Sequence, residues 1–210
     1  DDASIELEFQ LTTQELADKI QRVNQKLLDQ RSQRIPPGLD DKCLTSWNSL
    51  MISGLIDSYM ATKNNRYKKL AINTLDKILT TQLHGEELWH SFKNNQSTIP
   101  GMLEDYAFLI KACTDAFAIT GNESYVQSAQ QLTEVVMKKF YDYEKELFYF
   151  NETNELIVRT TEVHDNVIPS TNSVMAHNLW QLGLIYGNSR YLEIAETLVG
   201  KVQSNMVSYP

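Results

Sequence analysis

Three stretches of this chain repeat one figure. "LTSWNSLMISGLIDSYMATKNN", "MLEDYAFLIKACTDAFAITGN" and "TNSVMAHNLWQLGLIYGNS" are apolar at helical spacing and end in a short polar turn. Each runs into a second, more charged helical stretch. Tyr67, Tyr125 and Tyr191 open those second stretches, 58 and 66 residues apart, and each has alanine four positions later, at Ala71, Ala129 and Ala195. A large and a small residue on one helical face let neighbouring helices approach closely, so the tyrosines read as packing groups. A repeated helical hairpin must bury its apolar face against the next copy, which restricts the chain to stacked or ring-like helical architectures.

The periodicity predicts helices over about 12–31, 44–62, 66–82, 102–120, 124–140, 171–187 and 189–205. The first opens on Thr12 with Glu15 three positions on, a capping box. The first helix of each hairpin is the more apolar, as in Leu50, Met51, Ile52, Leu55 and Ile56. That asymmetry predicts an inner layer covered on both sides and a half-exposed outer layer. Turns within hairpins are short, whereas the connections at roughly 83–101 and 141–170 are long; the second carries "LFYF" and "LIVR" around NETNE, a β-hairpin pattern. The expected fold is all-α: a partial (α/α)6 toroid of about seven helices, three hairpins plus a leading helix, with a small β-hairpin in a long linker. It reads as a single domain over 1–210. Three hairpins make an arc, so the missing toroid half is expected from a longer chain.

Long connections put the functional surface at one rim. Asp40, Asp41, Trp47 and Asn48 stand before or at the first inner helix, Glu104, Asp105 and Tyr106 at the second, and Asp165, Ser170, Thr171 and Asn172 at the third. Asp, Ser, Thr and Asn also cap helices, and acids suit the positive end of the helix dipole, so capping alone accounts for part of each cluster. Beside Trp47, Trp89, Phe92, Tyr106 and Tyr149 the clusters have the make-up of a carbohydrate cleft: aromatic faces stack on sugar rings while carboxylates and amides take hydroxyls. Glycoside hydrolysis would use two carboxyls from Asp41, Glu104, Asp105 and Asp165, with Glu104 or Asp105 facing Asp41. Epimerisation would use a proton-shuttling base, His90, His164 or His177, the last of these also read as a packed or cleft-wall histidine. Arg159 either neutralises an acidic substrate or pairs with a rim acid. Non-catalytic binding or scaffolding is the alternative to both.

Other classes have little support. With net charge -8 the chain lacks the basic patch that nucleic acid requires. No apolar run approaches the roughly 18 residues of a membrane span. Scattered histidines and the absence of ligand spacing predict no metal, and no cofactor motif occurs. Cys43 and Cys113, outside any CxxC pair, read as free thiols of a reducing compartment, hence a cytoplasmic location. A start without Met and without a signal-peptide pattern reads as a fragment or processed product.

The segments "RSQRIPPGLDDKCLTSWNSLMISGL", "GMLEDYAFLIKA" and "VRTTEVHDNVIPSTNSVMAHNL", in that order, resemble the C-terminal region of the spermatogenesis-associated protein 20 / YyaL family. The resemblance covers roughly 10–205. It implies an N-terminal thioredoxin-like domain on a longer chain, joined to an (α/α)6 toroid related to N-acylglucosamine 2-epimerases and six-hairpin glycosidases. It marks Arg31, Arg34, Asp40, Asp41, Lys42, Trp47, Asn48, Glu104, Asp105, Tyr106, Asp165, Pro169, Ser170 and Asn172 as recurring positions, with Ser49 where the family usually has glycine. A carbohydrate or small polar ligand is the partner this implies.

Overall fold

The structure, a computed structural model, describes residues 2–152 and 159–208. The chain divides into two compact units, Asp1–Asp41 and Lys42–Pro210. The first holds α1 (Asp2–Phe9) and α2 (Thr13–Ser32). In α2 the expected capping box is present: the Glu15 amide donates to Thr12 Oγ1 at 3.3 Å, and Glu15 Oε2 accepts from the Thr12 amide at 2.9 Å.

The second unit contains the three hairpins: α3 (Thr45–Thr62) with α4 (Asn65–Thr81), α5 (Leu103–Thr120) with α6 (Glu123–Lys139), and α7 (Thr171–Tyr186) with α8 (Ser189–Ser208). Each turn uses the same chemistry. The inner helices end at Lys63, Gly121 and Gly187, all with positive φ, and Asn64 and Asn122 then cap α4 and α6 by accepting from the Arg66 and Ser124 amides. Every first helix packs on its own second helix, and α5 lies between α3 and α7, which gives the two layers of an α/α-toroid arc. α5 is buried over most of its circumference, whereas α4 buries only the stripe Ala71, Leu75 and Ile78. The order of apolarity between the layers thus follows from how many neighbours each helix has.

Of the repeated tyrosines, Tyr125 and Tyr191 are buried and Tyr67 is half-buried. The two buried ones also do something periodicity alone did not show: the Tyr125 hydroxyl donates to Asp76 of α4 at 2.8 Å, and the Tyr191 hydroxyl donates to Glu134 of α6. Each latch joins an outer helix to the one before it.

The connection after α4, expected as an irregular linker, is a small antiparallel sheet. Its central strand β3 (Glu87–Lys93) pairs with β1 (Cys43–Leu44), β2 (Leu83–His84) and β4 (Gln96–Pro100). Asn94 and Asn95, both at positive φ, form the two-residue turn between β3 and β4, the geometry that suits the twist of a hairpin. The alternation of LWHSFK around Asn-Asn was the signal for it. In the next linker, β5 (Tyr141–Asp142) pairs with β6 (Leu147–Phe148). The expected hairpin around NETNE falls largely on 153–158, outside the described residues; beside it the Phe150 amide donates to the Thr160 carbonyl at 2.8 Å. No described helix is long and apolar enough to cross a membrane.

Gly101 joins this sheet to α5. A Cβ there would lie 2.7 Å from the Leu88 carbonyl oxygen, whereas at Gly54, in α3, it would meet nothing within 4 Å. Gly101→Ala is therefore expected to cost about 1–3 kcal/mol in urea unfolding, and Gly54→Ala to stabilise by about 0.5–1 kcal/mol.

Candidate functional site

The N-terminus of α5 places Glu104 and Asp105 in its first turn. Asp105 stands three residues after the cap residue Met102, and its Oδ2 accepts from the Met102 amide at 2.9 Å, the reciprocal half of a capping box. Its other oxygen reaches a second helix: Oδ1 accepts from the Ser46 amide, one of the unpaired donors at the start of α3, at 3.0 Å. The carboxylate is completely buried, with 0% exposure. A third group meets it from the sheet, where β3 brings His90 Nδ1 to 2.9 Å and 3.1 Å from the two oxygens. One carboxylate thus ties together α3, α5 and β3.

Glu104, half-buried, points differently. Its Oε1 accepts from the Ser46 hydroxyl at 3.1 Å and so does not cap its own helix. Burial raises its pKa above the ordinary 4.5, and the negative charge of Asp105 adds to the rise. Glu162, in the segment before α7, pushes the same way, and burial raises its own pKa too. The hydrogen bond to Asp105 raises His90 above 6.5 against the opposing effect of burial. Trp47, next to Ser46, is 59% exposed and offers an open aromatic face.

Ligand atoms of His90, Glu104 and Asp105 lie within 4.8 Å of one another. A cation there would compete with N–H donors already on both Asp105 oxygens, so the arrangement suits a proton-carrying pair better than a metal centre.

Other residues expected at the site hold backbone in place. The Tyr106 hydroxyl, deep in the core, accepts from the Leu88 amide at 3.2 Å. Asn172 clamps Phe148 through both its amide and carbonyl and also donates to the Glu162 carbonyl. Asp165 accepts from the amide of Ser170, the cap of α7, at 2.9 Å. Asn48 donates to the Leu44 carbonyl. Arg159 donates to the Asn151 and Lys139 carbonyls and lies 3.9 Å over the Tyr149 ring, and no ion pair with a rim acid is seen among the described residues. Trp89 is half-buried, near His84. Asp40 and Asp41 are exposed at the end of the first unit; His164 and His177 are exposed in the second. Cys43 and Cys113 are free thiols. Of the expected site residues, those brought together are His90, Glu104 and Asp105. Ser46, which hydrogen-bonds to both Glu104 and Asp105, and Glu162, whose charge acts on Glu104, were not singled out from sequence, since a serine at the second helical position reads as a cap-region residue.

No family profile matches the chain. An uncharacterised protein of Caenorhabditis elegans is 28% identical over 194 residues, 89% of this chain and 27% of its own length. Human spermatogenesis-associated protein 20 is 26% identical over 199 residues, 89% of this chain and 25% of its own length. The resemblance carried by the three rim motifs is found. The chain spans about a quarter of the length of these curated relatives. Among solved structures, a GH76 α-mannanase of Bacteroides thetaiotaomicron superposes with TM-score 0.62 at 15% identity, over 82% of this chain and 46% of its own. A cellobiose 2-epimerase of Spirochaeta thermophila gives 0.63 at 12% identity, over 77% and 43%. The fold is that of the α/α-toroid glycosidases and epimerases.

Charge at the cluster couples to stability. His90 is raised in the folded state, so its contribution is fully present below about pH 6.5 and is lost as pH rises through the folded value. Raised Glu104 and Glu162 act in the same direction from about pH 4.5 upward. Lowered His177 changes charge below 6.5 and opposes them only there. Urea unfolding of the wild type is expected to show stability falling above about pH 6.5, and His90→Gln to flatten that part of the profile; equal slopes for the two proteins would exclude the His90–Asp105 pair as its origin.

Proposed function

We propose that this segment supplies the acid–base centre of a carbohydrate-active protein, and that its chemistry is proton transfer at a sugar carbon, as in epimerisation or isomerisation. The observation that carries the reading is the His90–Asp105 pair. Asp105 holds Nδ1, fixes the tautomer with its proton there and stabilises the imidazolium, which leaves Nε2 as the atom that takes or gives a proton. Nε2 carries no hydrogen bond among the described residues. Glu104, kept closer to neutrality by burial, is the second proton carrier, and Trp47 is a stacking surface for the ring. The toroid neighbours support a carbohydrate ligand, since a mannanase, a mannose isomerase and cellobiose epimerases share this fold. Because the chain spans a quarter of its relatives, the activity is proposed for the full-length protein.

A specific observation favours hydrolysis as the second reading. Glu104 and Glu162 are both raised, and the charge of Glu162 adds to the rise at Glu104, as a second carboxylate beside a general acid would. Asp105 cannot be that second carboxylate, because it is sealed from solvent and fully engaged.

Incubating the full-length protein with mannose or cellobiose in D2O and following the C2 proton by NMR separates the readings. Epimerisation or isomerisation predicts deuterium entry at C2, lowered by roughly a hundredfold or more in His90→Asn and Glu104→Gln. Release of new reducing ends from cellobiose without exchange would replace it with hydrolysis. Saccharide binding with neither reaction would leave a binding domain.

A further inference from the structure

The three hairpins share one register. Lys63, Gly121 and Gly187, which end the inner helices, stand 58 and 66 residues apart, as do Tyr67, Tyr125 and Tyr191 on the outer ones. Equivalent positions can therefore be compared. Ser49, Ser53 and Ile56 form a buried stripe on α3; on α5 the matching Ala107 and Thr114 are buried and Lys111 is half-buried. That stripe meets the next inner helix. Ser53 donates to Asp115 of α5 at 2.7 Å, and the Ala107 carbonyl accepts from Asn178 of α7 at 2.8 Å. On α7 the same positions are Ser173, His177 and Trp180, and all three are exposed, Trp180 by 44%. The outer helices agree: Leu75 and Thr133 are completely buried, whereas Val199 at the matching place on α8 is 50% exposed. Leu184 gives the contrast, since its equivalents Met60 and Ala118 are exposed too and that position needs no cover.

His177, Trp180 and Val199 line a groove of about 600 Å³ between α7 and α8, together with Ala176, Ala195 and Leu198. A hairpin that caps a stack carries a polar outer face, and an open indole and valine over an apolar groove are the opposite. The other side of the inner helices shows what such a groove receives. Leu109, Ala112 and Ala116 of α5, like Met175, Asn178 and Leu182 of α7, are buried and uncharged. The matching Met51 and Gly54 of α3, which no hairpin of the second unit precedes, are exposed, and Ser58 is half-buried. The fitting occupant is an inner-type helix with an uncharged face.

We propose that Ser173, His177 and Trp180 of α7, with Val199 of α8, seat the inner helix of a fourth hairpin drawn from this protein's own longer chain. Two observations favour that source over a second copy. A copy added head to tail would set its Tyr67 against α8 nine residues after Tyr191, where Gly200 stands in place of the latch carboxylates Asp76 and Glu134. The sequence also spans only 46% of the mannanase and 43% of the epimerase whose fold it shares, and about a quarter of its curated relatives. With glycine at the latch position, the groove rather than a tyrosine–carboxylate contact holds the fourth hairpin.

The test is hydroxyl-radical footprinting of the full-length protein, read by mass spectrometry and normalised residue by residue to the urea-unfolded chain. Trp180 is expected to be as protected as the buried Met175 at every protein concentration, while Met60 stays reactive. Val199→Asp, which places an unpaired carboxylate in the interface, is expected to return Trp180 to the reactivity of Met60, and Leu184→Asp to change nothing. Circular dichroism checks that both variants keep their helices. Trp180 as reactive as Met60 in the wild type overturns the proposal, and so does protection that Val199→Asp leaves intact. Protection that appears only as concentration rises, with a doubled mass in light scattering, gives the face to a second copy and overturns it as well. No sugar enters the measurement, so its outcome is independent of the carbohydrate reading.

Discussion

The second unit depends on one buried carboxylate. Asp105 accepts from the first turn of its own helix, from the first turn of α3 and from His90 on the sheet. A carboxyl group in a dry interior is tolerable only when hydrogen-bond partners replace its lost hydration, and here three do. Two of those donors are helix N-terminal amides, which are left without intrahelical partners and carry the positive end of the helix dipole. Removing this group would leave both helix starts unpaired at once, and would release β3 from the rim. The same contacts that hold the rim together also hold His90 in one orientation.

The polar wealth of the rim divides in two. Tyr106, Asn172, Asp165 and Arg159 satisfy backbone groups in the long connections. Irregular chain next to a packed core has amides and carbonyls that no ladder pairs, and side chains must do it. Glu104 and His90 differ because each retains proton-carrying capacity facing away from the backbone. Excess polar residues at this rim are therefore mostly scaffolding, and Glu104 and His90 stand apart as those whose hydrogen bonds leave an atom over.

The outer layer applies similar economy without burying charge. Tyr125 and Tyr191 fill space between outer helices and end in hydrogen bonds to Asp76 and Glu134. The tyrosine repeat was visible as spacing, but its hydroxyl partners lie 49 and 57 residues away on the preceding outer helices. A phenol at a helix interface places an apolar body in the core and a polar tip at its edge, which makes the repeat both a packing and a registration device.

What the sequence by itself determined is local in origin. The helices, their left-handed ends and asparagine caps, the inner and outer layers and the rim motifs all arise from propensity and 3.6-residue periodicity, which act over a few positions. Only the tertiary structure decided which rim acid is sealed and which is available. Asp105 and Glu104 are adjacent in sequence, yet they point to different neighbours because successive helical residues are turned about 100° apart. The delivery of His90 to Asp105 depends on the register of β3 against β1 and β4, set by the Asn94–Asn95 turn and the close approach at Gly101. Contacts of that kind join residues far apart in the chain through packing geometry, and no local pattern encodes them.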